Sequence, residues 1–279
     1  MDALLTPQAL AALLDATDVR LLDATHLLGD PGGEQSRRLF DDGHIPGARF
    51  MDLDHLVDPD TSLPMMMPSP ERFAAAMAAL GVGTDDRIVV YDQSPLHSAA
   101  RGWWMLRSFG ASEVAILDGG LAAWRAAGLP IEQGAAPDGE PGHFVPRPPA
   151  AHRRTLPQMQ ANLTIGAEQV VDARSPARFA GAEAEPRAGV VPGHIPGSQN
   201  LHYARLFDAD GRWKRGPALA AAFADAGVDF ERPVIATCGS GITAAVLAFG
   251  AHLLGHPMTV YDGSWAEWGS HPDTPKAKD

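Results

Sequence analysis

Gly193-His194-Ile195-Pro196-Gly197 repeats Gly43-His44-Ile45-Pro46-Gly47 letter for letter, and this duplication decides the fold. Working outward, Val19 to Ala24 (VRLLDA) resembles Glu168 to Ala173 (EQVVDA). Asp118-Gly119-Gly120 with Trp124 returns as Asp262-Gly263-Ser264 with Trp268. The order is the same in both copies and the spacing drifts by only a few residues, which marks a tandem duplication. Between the copies, Gln133 to Pro149 is rich in Pro and Gly and has no apolar period, so it reads as a linker. The expected organisation is an N-terminal domain over 1–132, a linker over 133–152 and a C-terminal domain over 153–279.

Each copy alternates short apolar runs with helical patterns. In the first, strands are expected at Arg20–Asp23, Ala48–Phe50, Ile88–Tyr91 and Val114–Leu117, with helices near Thr6–Leu14, Pro70–Leu80, Ser98–Phe109 and Leu121–Ala127. In the second, strands are expected at Gln169–Ala173, Ser198–Asn200, Val234–Thr237 and Met258–Tyr261, with helices near Leu156–Ala161, Ala218–Ala226 and Thr243–Leu254. Such alternation implies an α/β fold, each copy an open and mainly parallel sheet flanked by helices. In sheets of this kind, sites form at the carboxyl ends of strands.

Of 279 residues, 45% are hydrophobic and 20% charged, ordinary values for a globular protein. The net charge of -12 argues against a nucleic-acid partner, whose phosphates would be repelled. A single cysteine excludes an intrachain disulfide and fits a reducing compartment. The N-terminus lacks a basic region followed by an apolar core, and no apolar run approaches the roughly 20 residues that span a bilayer. The expectation is therefore a cytoplasmic protein with no membrane partner. Histidines are scattered without ligand spacing, so neither a metal nor another cofactor is expected.

The one cysteine, Cys238, ends the apolar run Val234-Ile235-Ala236-Thr237 and opens Cys238-Gly239-Ser240-Gly241-Ile242-Thr243, after which a helical pattern begins. A thiol so placed faces backbone N–H groups and the positive end of a helix, both of which favour the thiolate, the reactive form. The ordinary alternative is an inert, buried structural cysteine. In the first copy Ile88-Val89-Val90-Tyr91 matches the strand, and Asp92 takes the place of the cysteine. A carboxylate is no soft sulfur nucleophile, so the first copy is expected to be catalytically silent.

Together, the paired GHIPG segments, Asp92, the Cys238 loop and Asp262-Gly263-Ser264-Trp265-Ala266-Glu267-Trp268 resemble a two-domain rhodanese-type sulfurtransferase, and the likeness spans Leu4 to Trp268. The loop is similar to that of the 3-mercaptopyruvate sulfurtransferase branch. Thiosulfate-preferring relatives usually carry basic loop residues, which suit a dianion; this loop is neutral. The resemblance implies a sulfur atom passed from 3-mercaptopyruvate through a Cys238 persulfide to an acceptor thiol, thioredoxin-type or of low molecular weight, or to cyanide, with pyruvate released. It also implies that Gly239, Gly241, Ile242 and Thr243 cradle the donor, that Arg178 and Arg187 grip its carboxylate and keto oxygens, and that Ser240 belongs to a proton relay. The arginines could instead be surface groups paired with Glu183 or Glu185. Arg174 reads as a structural partner of a nearby acid, and His44 and His194 as braces of their turns.

Asp54 matches a first-domain acid near that relay. The family's histidine in Leu63-Pro64-x-Met-x-Pro is here Met65, which cannot carry a proton. His97, on the Asp92 loop, is a candidate substitute, and such a role would show as a pH limb near the unperturbed histidine value of about 6.5. The site is expected at the carboxyl end of the second sheet, facing the first domain. Competing functions are thiosulfate sulfurtransferase, a cysteine phosphatase of related fold, and a sulfur-binding module without turnover. The phosphatase is disfavoured because its loop would end in Arg.

Overall fold

The computed structural model describes residues 1–136, 140–147 and 152–279. Of the stretch read as a linker, 137–139 and 148–151 lie outside the described residues. Contacts divide the chain into two compact units, Met1–Pro59 with Met67–Ala150, and Ala151–Asp279 with Asp60–Met66.

In the first unit the order is β1 (Leu4–Leu5), α1 (Pro7–Ala11), β2 (Val19–Asp23), α2 (Glu34–Asp42), β3 (Arg49–Phe50), α3 (Pro70–Ala79), β4 (Arg87–Tyr91), α4 (Ala99–Ser108), β5 (Val114–Leu117) and α5 (Gly120–Ala126). In the second it is β6 (Arg153–Arg154), α6 (Leu156–Ile165), β7 (Gln169–Asp172), α7 (Pro176–Phe179), β8 (Gln199–Asn200), a 3-10 turn at Tyr203–Leu206, α8 (Gly216–Ala224), β9 (Val234–Thr237), α9 (Ile242–Leu253), β10 (Thr259–Tyr261) and α10 (Ser264–Trp268). The two sheets share one topology, β1-β5-β4-β2-β3 and β6-β10-β9-β7-β8, and every pairing is parallel.

Ile88 to Tyr91 and Val234 to Thr237 are buried throughout. Strands covered on both faces carry such unbroken apolar runs rather than an alternation. In α9, all residues from Ile242 to Ala251 are buried, and its small residues let neighbours approach. A Cβ on Gly250 would stand 2.8 Å from Leu206 Cδ1. No helix among the described residues is long and apolar enough to cross a membrane.

The repeated motifs do the same work twice. Phe40 stacks on His44 and Phe179 on His194, each pair with ring centroids 4.0 Å apart. Each histidine donates from Nδ1 to the backbone carbonyl of that phenylalanine at 2.9 Å. Trp124 and Trp268 each donate from the indole to the carbonyl of a downstream proline, Pro130 at 2.7 Å and Pro275 at 2.8 Å.

At the carboxyl end of β4, Asp92 is buried and accepts from the amides of Ala99 (2.6 Å) and Ser94 (3.1 Å). Burial pushes its carboxyl up to about 7, those two bonds oppose the rise, and the charge of Asp23 adds to it. Between the unfolded carboxylate value of about 3.9 and about 7, the folded chain holds a proton that the unfolded chain releases, so this group lowers stability as pH rises through that window. Asp92→Asn should remove the fall. Urea unfolding at pH 5 and pH 8 should show the variant gaining on the parent by a few kcal/mol at the higher pH, each unit being worth about 1.4 kcal/mol. An equal difference at both pH values would contradict the assignment.

Candidate active site

The end of β9 delivers Cys238 into a buried loop that runs directly into α9. The thiol is free and 1% exposed. The amide of Gly241 donates to Cys238 Sγ at 3.1 Å. Gly241 takes a left-handed conformation (φ 85°) as it caps α9, a backbone that side chains disfavour, and this turn aims its N–H back at the sulfur. The sulfur therefore sits against the amino end of a twelve-residue helix, where negative charge is stabilised.

A second element fixes the loop from behind. The amide of Trp265 donates to the Cys238 carbonyl and that of Ala266 to the Gly239 carbonyl, both at 2.9 Å. The amide of Cys238 donates to Ser264 Oγ at 3.3 Å, Ser264 Oγ donates to the Tyr261 carbonyl at 2.8 Å, and Oγ lies 3.9 Å from Sγ. Ser264 is fully buried and holds φ at 50°, a strained value for a residue with a side chain. Sequence reasoning used Ser264 only as part of a repeated motif. Its signal was present: Ser stands where the first copy has Gly120. The first unit has the corresponding clasp, Leu121 N–H to the Asp92 carbonyl at 3.0 Å.

The three arginines near the loop have different surroundings. Arg174 is held by Asp172 (2.6 Å), Glu185 (2.8 Å) and the Gly193 carbonyl (2.8 Å), and its guanidinium lies over the Trp265 ring at 4.6 Å. It is a structural residue. Arg178, on the one-turn α7, gives Nη2 to Glu185 Oε2 at 2.5 Å. That nitrogen is 3.1 Å from where a Cβ on Gly239 would sit, so the glycine leaves room for the guanidinium. Arg187, on the irregular segment after Glu185, is half-buried and makes no hydrogen bond or ion pair among the described residues. Burial draws its pKa below the usual arginine value, the charge of Cys238 opposes that, Arg178 adds to it, and Glu185 opposes it more weakly.

Ser240, Ile242 and Thr243 are buried in the same loop. The structure thus brings together Cys238, Gly239, Ser240, Gly241, Ile242, Thr243, Arg178 and Arg187 in one unit. Asp54 and His97 belong to the other unit. Asp54 Oδ2 pairs with Nδ1 of His26 at 2.8 Å, and sequence reasoning did not single out that histidine. Nothing in Ala24-Thr25-His26 marks it, because the pairing joins segments after two different strands. Burial pushes His97 down to about 4, below the unperturbed histidine value of about 6.5. Among the described residues, no group of three or more His, Cys, Asp or Glu side chains is placed to hold a metal ion.

The rhodanese-like domain family model matches residues 6–127 and again 155–271. The 3-mercaptopyruvate sulfurtransferase of Rattus norvegicus is 41% identical over 270 residues, covering 96% of this chain and 88% of that protein. That of Escherichia coli K12 is 41% identical over 272 residues, covering 95% and 94%. A crystal structure described as showing the rhodanese fold of 3-mercaptopyruvate sulfotransferases, also from Escherichia coli, superposes with a TM-score of 0.85 at 37% identity, covering 95% of this chain and 99% of that one.

Ser264→Ala would strip the buried Cys238 amide of its acceptor. Leaving such a donor unsatisfied costs about 1–3 kcal/mol. Chemical unfolding should show a loss of that size, together with slower chemistry at Cys238. Unchanged stability would mean that the hydroxyl does not anchor the loop.

Proposed function

This chain belongs to the rhodanese-like family and is a sulfurtransferase, and we propose that its donor is 3-mercaptopyruvate and that Cys238 carries the transferred sulfur as a persulfide. One observation carries the reading: a free, buried thiol under the Gly241 amide, with the Arg187 guanidinium near enough for the two charges to interact. The Cys238 thiolate attacks the donor sulfur. The carbon–sulfur bond breaks, and its electron pair leaves with carbon as the enolate of pyruvate, which then takes up a proton. Negative charge on the outer sulfur is stabilised by preorganised N–H donors, as oxygen is in an oxyanion hole. An acceptor thiolate, thioredoxin-type or of low molecular weight, or cyanide, attacks that outer sulfur and regenerates the Cys238 thiolate.

Arg187 and Arg178 grip the donor's carboxylate and keto oxygens, for which a planar guanidinium is suited. Ser240 and water deliver the enolate's proton. His97 is a poor acid for that step, since at neutral pH it is uncharged. Asp54 is committed to His26, its Oδ2 lying 2.8 Å from Nδ1. Thiosulfate is the less favoured donor, because the loop from Gly239 to Thr243 brings no cation to a dianion. A cytoplasmic setting fits the single free cysteine.

Cys238→Ser should fold and release no pyruvate from 3-mercaptopyruvate, because an oxygen nucleophile cannot form a persulfide. Turnover near the parent rate would remove Cys238 from the mechanism. Arg187→Ala should raise KM for 3-mercaptopyruvate roughly ten- to a hundredfold, the scale of a lost charge-assisted contact. Arg178→Ala should raise it less, because Glu185 already offsets that charge. Steady-state kinetics showing neither KM moved would make both arginines ordinary surface groups.

A further inference from the structure

The Cys238 loop itself is uncharged, so donor charge is read by the arginines beside it. Those arginines are not free to act as three equal cations. Arg174, with a side chain 1% exposed, is consumed by Asp172. Glu185, with a side chain 4% exposed, uses one carboxylate oxygen on Arg174 at 2.8 Å and the other on Arg178 at 2.5 Å. Arg187 alone has no ion pair or hydrogen bond among the described residues. Three guanidiniums thus stand with two carboxylates, and the third positive charge, on Arg187, faces the Cys238 thiolate.

We propose that Glu185 is a donor-specificity residue: its carboxylate offsets the charge of Arg178 and so removes the added attraction that an unpaired Arg178 would give a doubly charged donor. This rests on the sulfur-transfer reading above and deepens it. A partly buried site screens charge weakly, so a change of one unit there is felt strongly. A dianion gains about twice as much as a monoanion from one added positive charge, by proportionality of the interaction to each charge. Glu185 therefore handicaps thiosulfate against 3-mercaptopyruvate without touching either. It does so from a position outside the loop. The same carboxylate holds Arg178 against Gly239, so it sets both the position and the net charge of that cation.

The test is Glu185→Gln, which keeps length and one acceptor oxygen and removes the charge. Arg174 retains Asp172 and the Gly193 carbonyl in this variant. The quantity read is kcat/KM for thiosulfate divided by kcat/KM for 3-mercaptopyruvate, with sulfite and pyruvate measured as products. The ratio should rise tenfold or more, whereas Glu185→Asp, which keeps the charge, should leave it within threefold. A ratio that stays put or moves toward 3-mercaptopyruvate in Glu185→Gln overturns the proposal while the sulfur-transfer reading stands. Absence of pyruvate release from the parent protein would overturn both. Should Glu185→Gln not fold, the parent protein decides: malonate, a dianion, should compete with 3-mercaptopyruvate no more than a few-fold better than propionate, a monoanion. Tenfold stronger inhibition by malonate would show that a second positive charge is already available, and would overturn the proposal.

Discussion

The hydrogen bond from the Trp265 amide to the Cys238 carbonyl, 2.9 Å long, holds the reactive loop to the start of α10. Everything at the site hangs from that clasp. With Ala266 holding Gly239 and Ser264 holding the Cys238 amide, the loop backbone is fixed on one side. Only then can Gly241 turn its N–H onto the sulfur and open α9 beneath it. Trp265 also reaches sideways: its indole donates to the Val191 carbonyl at 3.0 Å, and its ring carries Arg174. One residue thus joins the nucleophile's loop to the segment that bears the arginines. The first unit keeps the same clasp behind Asp92, which shows that the clasp belongs to the fold and the chemistry to the side chain placed on it.

Much of this was legible in the sequence. Duplication and alternation implied two parallel sheets, and the buried runs at Ile88–Tyr91 and Val234–Thr237 fell where their mainly apolar, uncharged character placed them. What escaped had weak local signals. β1 and β6 are two residues long, too short for any period, and exist because β5 and β10 offer an edge to pair with. α2 was not anticipated because its run EQSRRLFDD buries only Ser36 and Phe40. α1 ends at Ala11, short of the expected Leu14.

At the site, Cys238 and its loop were readable from position alone, since a strand end, two glycines and a helix start are local facts. The arginines were not. Their pairing with Glu185 was one of two open alternatives, and the structure divides them: Arg178 bonds Glu185 directly, whereas Arg187 feels its charge and makes no hydrogen bond or ion pair among the described residues. No spacing rule distinguishes them, because the irregular chain after α7 decides which guanidinium the carboxylate meets. His26 was invisible for a similar reason, its partner Asp54 arriving from a separate strand end. Buried titratable groups outside the nucleophile's loop follow the same logic, with Asp92 and His97 shifted by burial rather than by sequence neighbours.

The central claim is that sulfur rests on Cys238 between donor and acceptor. It is tested most directly by mixing the protein with 3-mercaptopyruvate in the absence of acceptor, quenching, and locating the added sulfur by peptide mass. The account predicts one sulfur per chain, confined to the peptide holding Cys238, with one pyruvate released for each. Pyruvate release with no sulfur retained on that peptide would contradict it.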